Sequence, residues 1–405
     1  MFSYIAARLV DGAEMKIAYV HDAVYPFVKG GAEKRMYELS RRLAKRGHEV
    51  HVFGMRWWGD EPTKEMEGVH LHGVCKPIPL YSKGRRSIRA AAMFAKSVLP
   101  SLLKERFDVI DCYQAPYLHA FPTKLGAVAK SSRLAVTWHE VWRGYWQKYL
   151  GSFGVVGKLM ERAILLGLAD RVIAVSDQTR DDLVSLGVSA DKISIVPNGI
   201  DFDSISKVPP ATEKLDVVYL GRLIKPKNVD VMLRAAAALK KEFPGLKVGI
   251  IGDGPERENL ERLAGELGIG DNVKFFGFVE NFNEVVALMK SAKVFVIPSI
   301  QEGGASIVTL EANACSLPVI AVDHPLGIDK RLILSGKTGF FVELTLDAIA
   351  EKIRLLLSDE KLRVQMKANA IEFAQNYDWK KIVGETEKVY AEICGSARKT
   401  GVNRA

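Results

Sequence analysis

Residues 295–321 read FVIPSIQEGGASIVTLEANACSLPVIA. Phe295-Val296-Ile297 is a short apolar run of the kind that forms a buried strand, and it stops at Pro298-Ser299. Glu302 then opens a turn at Gly303-Gly304. Helix-forming residues follow, with Glu311 in their first turns, and Pro318-Val319-Ile320-Ala321 closes the stretch as a second strand. Strand, glycine-rich turn, helix and strand make a βαβ unit and place the chain among parallel-sheet α/β proteins. In such a turn the glycines let the backbone approach an anion. The N–H groups at the helix start, here over Gly303, Gly304, Ala305, Ser306 and Ile307, point at it. The turn lacks the Gly-Lys-Ser/Thr ending of a nucleoside-triphosphate loop. It carries two carboxylates instead, Glu302 and Glu311, which suit sugar and ribose hydroxyls and suggest a nucleotide-sugar site. Any parallel α/β protein has strand–glycine–helix units, and the helix dipole favours acids in a first turn. The reading therefore depends on agreement from other segments.

Working outward, strands read at 16–20, 49–53, 108–112, 134–138, 171–175 and 193–196. A second series follows at 216–220, 247–251, 273–275, 294–297, 318–321 and 340–342, with helical segments between them. The alternation predicts two doubly wound parallel sheets with helices on both faces. In that architecture ligands lie beyond the carboxyl ends of the strands. His21, His139, Arg222, Gly252, Glu302 and Glu311 all fall at or after strand ends. At 405 residues the chain exceeds the usual size of one core. The expected division is 15–205 plus about 380–405 for the first domain and 206–379 for the second, with 1–14 an N-terminal extension given no function.

The 295–321 stretch resembles the C-terminal signature of the retaining glycosyltransferases of family 4, E-G-F-G-x-x-x-x-E-A-M-A-x-G-x-P-V. That family has the GT-B fold, two Rossmann-like domains facing a cleft. Here eight residues rather than seven separate Glu302 from Glu311, Gly303-Gly304-Ala305-Ser306 replaces Gly-Phe-Gly, Asn313 replaces Met, and Ser316 replaces Gly. Five further segments match in order. Gly30-Gly31-Ala32-Glu33-Lys34 is similar to G-G-x-E-[KR], and Thr137-Trp138-His139-Glu140 to T-x-H-[DE]. Val196-Pro197-Asn198-Gly199-Ile200-Asp201 is similar to V-P-N-G-[VI]-D. Leu220-Gly221-Arg222-Leu223 with Lys227 matches G-R-L-x-x-x-K-G, with Asn228 in place of the last Gly. Ile251-Gly252-Asp253-Gly254-Pro255 matches I-G-x-G-P.

The resemblance implies transfer of a hexose from a UDP- or GDP-sugar to an acceptor hydroxyl, with retention of anomeric configuration. It places Gly30, Gly31, Asn198, Gly221, Gly252, Gly254 and Glu311 on the donor, and Arg222 and Lys227 on its diphosphate. His139 would lie beside the donor sugar, helping to stabilise the transition state, and Glu302 would join the catalytic set. Tyr377-Asp378-Trp379 is similar to the family's closing F-x-W segment, whose helix returns to the first domain.

The chemistry is consistent with those residue types. A departing diphosphate needs fixed cations, N–H dipoles or a metal. Arg222 offers a planar fork for phosphate oxygens and Lys227 a point charge, although both would also pass as a solvated loop. Asp201-Phe202-Asp203 spells a metal-binding D-x-D, but it closes the interdomain segment and reads as a hinge, so no required metal or other cofactor is expected. One nitrogen of His139 could donate while a carboxylate such as Glu140 orients the other. The remaining histidines, His48, His51, His70 and His72, show no metal spacing.

Composition is that of a globular protein, 48% apolar and 26% charged. No apolar run approaches a membrane span, and no secretory signal is visible. Four scattered cysteines fit a reducing, cytoplasmic compartment. The net charge of +9 is uneven, with 30 Lys and Arg against 22 Asp and Glu in 1–210 and 27 against 26 thereafter. Residues 83–106 are basic, with an apolar stripe expected at Ile88, Ala92, Ala95, Leu99 and Leu102. Trp57, Trp58, Trp142 and Trp146 are candidate exposed aromatics. An anionic membrane surface and a lipid-linked, sugar or polysaccharide acceptor follow as expectations, beside the plainer reading of a sheet-covering helix with a wet basic face. No nucleic-acid motif accompanies the charge. A GT-B-fold nucleotide-sugar epimerase would need a second acid/base pair, which is not evident. A catalytically silent nucleotide-sugar-binding protein is the alternative from another class.

Overall fold

A computed structural model describes residues 14–82, 85–302 and 306–401. The chain divides into two compact units, Met1–Pro197 with Lys380–Ala405, and Asn198–Trp379.

The first unit is built on an eight-stranded sheet in the order β10-β9-β8-β7-β1-β2-β4-β3. Its strands are β1 (Lys16–Val20), β2 (Glu49–Met55), β3 (Thr63–Met66), β4 (Val69–Cys75), β7 (Val109–Tyr113), β8 (Arg133–Trp138), β9 (Arg171–Ala174) and β10 (Ile193–Ile195). Every pairing is parallel except the edge pair β3–β4. A separate two-stranded ribbon joins β5 (Tyr81–Ser82) to β6 (Arg85–Arg86). Strands β3, β5 and β6 are absent from the sequence reading, because polar residues at 63–66 and 85–86 carry no apolar period, while the alternation of His70 and His72 on one strand face falls on β4.

In the second unit β11 (Val217–Leu220), β12 (Val248–Ile251), β13 (Val273–Gly277), β14 (Val294–Ile297), β15 (Val319–Val322) and β16 (Gly339–Val342) form an all-parallel sheet. Its order is β13-β12-β11-β14-β15-β16. Strands β11, β12, β14 and β15 are almost wholly buried, as continuous Val/Ile runs covered on both faces must be.

The unit boundary falls at Pro197, earlier than the expected residue 205. Ile200 and Ile205 lie in the second unit's core, and Asp201 caps the Phe202–Lys207 helix by accepting from the Ser204 amide. Asp201 is thus the N-cap of that helix. The Ile200 amide bonds the Tyr377 carbonyl at 2.8 Å, and the Trp379 ring covers Gly199, where a Cβ would lie 2.5 Å from it.

The final helix, Trp379–Gly401, anchors in the first unit through a buried polar group. The Tyr390 hydroxyl donates to Asp111 Oδ2 at 2.6 Å, and Thr137 Oγ1 donates to the same carboxylate at 2.8 Å. Burial pushes the Asp111 carboxyl above its ordinary range, against the pull of these donors. Removing a donor from a buried acceptor costs about 1–3 kcal/mol. Tyr390→Phe and Thr137→Val should each destabilise the first unit by that amount in urea unfolding. An unchanged midpoint would show the anchor to be unimportant.

Candidate functional sites at the strand ends

Each sheet reverses its strand order once. In the first unit the reversal lies between β1 and β7, in the second between β11 and β14. Loops that diverge at such a point leave a crevice at the carboxyl ends of the strands.

In the second unit the loops after β11, β12 and β14 are tied together by backbone bonds. Leu223 N–H reaches the Asp253 carbonyl at 2.9 Å, and Ile300 N–H reaches the Pro226 carbonyl at 3.0 Å. Gly252, at φ +131°, and Gly254 are needed for this closeness. A Cβ at Gly252 would lie 2.0 Å from the Gly221 carbonyl oxygen, and one at Gly254 2.3 Å from that of Leu223. Gly221 continues the same loop, its N–H bonding the Ile251 carbonyl. Asn228, which replaces the expected glycine, takes the left-handed conformation at φ +48° and donates its side-chain amide to Pro298 O at 3.2 Å. Asparagine tolerates that backbone, which accounts for the substitution.

This framework brings two of the expected residues together. Lys227 Nζ lies 2.5 Å from Glu302 Oε1, and both side chains are largely shielded from water. Arg222 is exposed on the adjoining loop. Beyond Glu302, Gly303, Gly304 and Ala305 lie outside the described residues. Ser306 is buried and begins the Ile307–Ala314 helix, and Ile307 is half-buried at its first position. Glu311 is in the second turn of that helix and is buried. Asn313, fully buried, donates to the Leu332 carbonyl at 3.2 Å.

In the first unit the Gly31–Lys45 helix begins at the β1/β7 reversal. Gly30 is its N-cap, and Glu33, three residues on, folds back so closely that a Cβ on Gly30 would lie 2.1 Å from Glu33 Oε2. His21 Nε2 is 3.2 Å from Glu33 Oε1, and His21 Nδ1 is 2.9 Å from the Ala115 carbonyl. Burial alone would raise the Glu33 carboxyl, but the hydrogen bond and charge of His21 bring it down to about 2. Arg35, fully buried on the same helix, donates to the Val196 carbonyl at 2.8 Å and to that of Pro197. The G-G-x-E segment is thus fastened to the residues just before Asn198, itself buried.

His139 follows β8. Its amide and that of Glu140 donate to Gln114 Oε1 at 2.9 and 3.2 Å. Burial, then the positive charges of Arg35 and His21, push the imidazole down to about 3. It is therefore neutral near pH 7, with a buried Nε2 that has no partner among the described residues. Such a group can hydrogen-bond a substrate without carrying charge. Glu140 does not orient it. That carboxylate is exposed and accepts from Trp142 Nε1 at 2.7 Å.

Sequence reasoning missed several polar residues here. Gln114 positions the His139 backbone, and His119 is fully buried. Asp22 is ion-paired with Arg86, a member of the basic run read as a wet face. The position of Gln114 directly after a strand at the reversal was the available signal.

The expectation for the other histidines is also corrected. His51 lies between Glu49 and His72, and ligand atoms of Glu49, His51 and Glu105 come within 4.8 Å of one another. Lys16 Nζ already bridges the two carboxylates at 2.7 and 2.5 Å.

Two doubly wound parallel sheets, each with its loops drawn together at a strand-order reversal, are the GT-B architecture. The family described as "Glycosyltransferase Family 4" matches residues 29–204, and "Glycosyl transferases group 1" matches residues 201–373. The chain belongs to this family of glycosyltransferases. It is 28% identical over 396 residues to the phosphatidyl-myo-inositol mannosyltransferase of Mycolicibacterium smegmatis, covering 93% of this chain and 94% of that protein. A second protein of that organism, a GDP-mannose-dependent alpha-(1-6)-phosphatidylinositol monomannoside mannosyltransferase, is 32% identical over 230 residues, covering 52% of this chain and 59% of its own length. Among solved structures, the sucrose-phosphate synthase of Thermosynechococcus elongatus shares the fold. Its TM-score is 0.76 at 21% identity, covering 95% of this chain and 100% of that one.

Because folding depresses Glu33, its stabilisation is complete above the ordinary value of 4.5 and is lost as pH falls through about 2. Glu33→Gln should lower stability at neutral pH by about 1–3 kcal/mol. The gap from the native protein should close as pH is lowered across that window, read as melting temperature against pH. A gap that stays constant with pH would refute the ionic account.

Proposed function

We propose that this protein transfers a hexose, mannose being the first to test, from a nucleotide sugar to a lipid-linked acceptor hydroxyl, with retention of configuration and without a required metal. The carrying observation is the shielded Lys227–Glu302 pair beside Arg222, at the strand-order reversal of the second unit. A bound diphosphate would compete with Glu302 for Lys227. Arg222, Lys227 and the start of the Ile307–Ala314 helix would then neutralise the leaving group. Glu311 is assigned the nucleoside ribose, and neutral His139 the sugar. In the reaction the bond from the anomeric carbon to the diphosphate oxygen breaks. The acceptor oxygen bonds the same face of that carbon, and the acceptor proton passes to the departing phosphate. No protein base is assigned. The mannose donor and lipid acceptor are supported by the names of the two mycobacterial relatives.

A turnover screen with GDP-, UDP- and ADP-hexoses and a phosphatidylinositol acceptor tests the reading. GDP-mannose should be consumed, the product should keep the donor's anomeric configuration by NMR, and EDTA should leave the rate unchanged. An inverted product, or loss in EDTA restored by magnesium or manganese, would overturn those parts. Lys227→Ala removes a charge-assisted contact of about 1.5–3 kcal/mol. Calorimetry should therefore show nucleoside diphosphate binding weakened by roughly tenfold or more. Glu311→Gln should weaken the free nucleoside diphosphate as well as the sugar nucleotide.

A further inference from the structure

The helix Gly154–Ala163 is turned the wrong way round for a water-facing helix. Its inward residues are Gly154, Gly157 and Glu161, and its outward residues are Val155, Val156 and Leu159. The cause is Trp146. Its ring fills the space beneath, so that a Cβ on Gly157 would lie 2.2 Å from it, and its Nε1 donates to buried Glu161 Oε2 at 3.1 Å. The outward stripe begins one turn earlier at Phe153, 71% exposed, and continues through Leu166 on the wide helical turn Ile164–Leu168. The Ala120–Ala129 helix lies beside that turn and repeats the pattern, presenting Phe121, Leu125 and Val128 to solvent. The Ile88–Leu102 helix packs beside it in turn, with Leu102 against Gly126. Three helices of the first unit, linked in succession by contact, thus each leave apolar side chains exposed, the kind of exposure that marks an interaction surface.

Charge around this face is mostly positive. Residues 120–170 hold seven lysines and arginines and three acids, Glu140, Glu161 and Asp170, and Asp170 is paired with Lys124. Glu161 is buried and Glu140 is held by Trp142. Lys158 and Arg162 flank the outward stripe on its own helix, and Arg89, Lys96 and Lys104 stand on the outer side of the 88–104 segment. Protein interfaces deplete lysine. An anionic bilayer draws it to the headgroups while apolar side chains enter the acyl boundary.

We infer that this face, centred on Phe153, Val155, Val156 and Leu159, docks the protein on an anionic lipid surface. The inference rests on the proposed lipid-borne acceptor and names the surface by which it is reached. The test uses the full chain with vesicles of equimolar phosphatidylglycerol and phosphatidylcholine, in low and high salt. The native protein should co-sediment at low salt and release at high salt. Val155→Ser with Val156→Ser and Leu159→Gln should keep the melting temperature and lose affinity by about tenfold or more. Lys158→Glu with Arg162→Glu should lose at least about fivefold per cation removed. Absence of sedimentation by the native protein, or sedimentation of the apolar triple variant equal to it, overturns the inference. So does a native dimer in solution that the triple variant abolishes, since the face would then belong to a second copy. Turnover on water-soluble sugars with vesicle binding intact would remove the lipid acceptor and leave the docking face standing. Nucleoside diphosphate binding in the same samples tests the donor assignment separately.

Discussion

A parallel sheet ends all its strands on one rim, and reversal of strand order is the one place where neighbouring loops must part. Everything functional here depends on that constraint. It puts His21, Glu33, Gln114 and His139 at one reversal, and Arg222, Lys227, Glu302 and Glu311 at the other. The loops would be mobile if left to themselves. They are held by backbone bonds that only close approach allows, hence Gly252 and Gly254, and by buried side chains that spend their donors on carbonyls, hence Arg35 and Gln114.

The second site keeps its charge balanced without substrate. A lysine beside a shielded carboxylate avoids the large penalty of an unpaired buried charge, and it remains a partner that a diphosphate can take over. The first site uses the opposite device. Burial near Arg35 keeps His139 neutral, so its unpartnered Nε2 offers a hydrogen bond without inviting a counter-ion. A paired charge and an uncharged hydrogen-bonding group are thus set up at the two reversals by environment alone.

The fold was legible because buried parallel strands are continuous apolar runs. Twelve such runs were placed within a residue or two of the observed strands. The site residues after those strands were legible for the same reason, since a strand end is also a rim position. Polar edge strands such as Thr63–Met66 have no apolar period and left no trace. Asp201-Phe202-Asp203 looks like linker in the sequence, and only the tertiary packing of Ile200 and Ile205 places these residues with the second unit. Tryptophans were misread as exposed through composition alone. Trp146 is 3% exposed, and Trp57, Trp58 and Trp142 are half-buried.

Ile88, Ala92, Ala95, Leu99 and Leu102 obey helical spacing, yet the buried face is Ala90, Ala91, Phe94, Val98 and Leu102, and Ile88 is 67% exposed. A period tells which residues share a face but not which face turns inward when both carry apolar groups. Packing decides. Phe94 fills the sheet side of this helix, and Trp146 does the same for its neighbour at Gly157. Surplus apolar residues are then forced outward. Their outward placement beside cations is a pattern that a lipid headgroup layer would favour in both its halves at once.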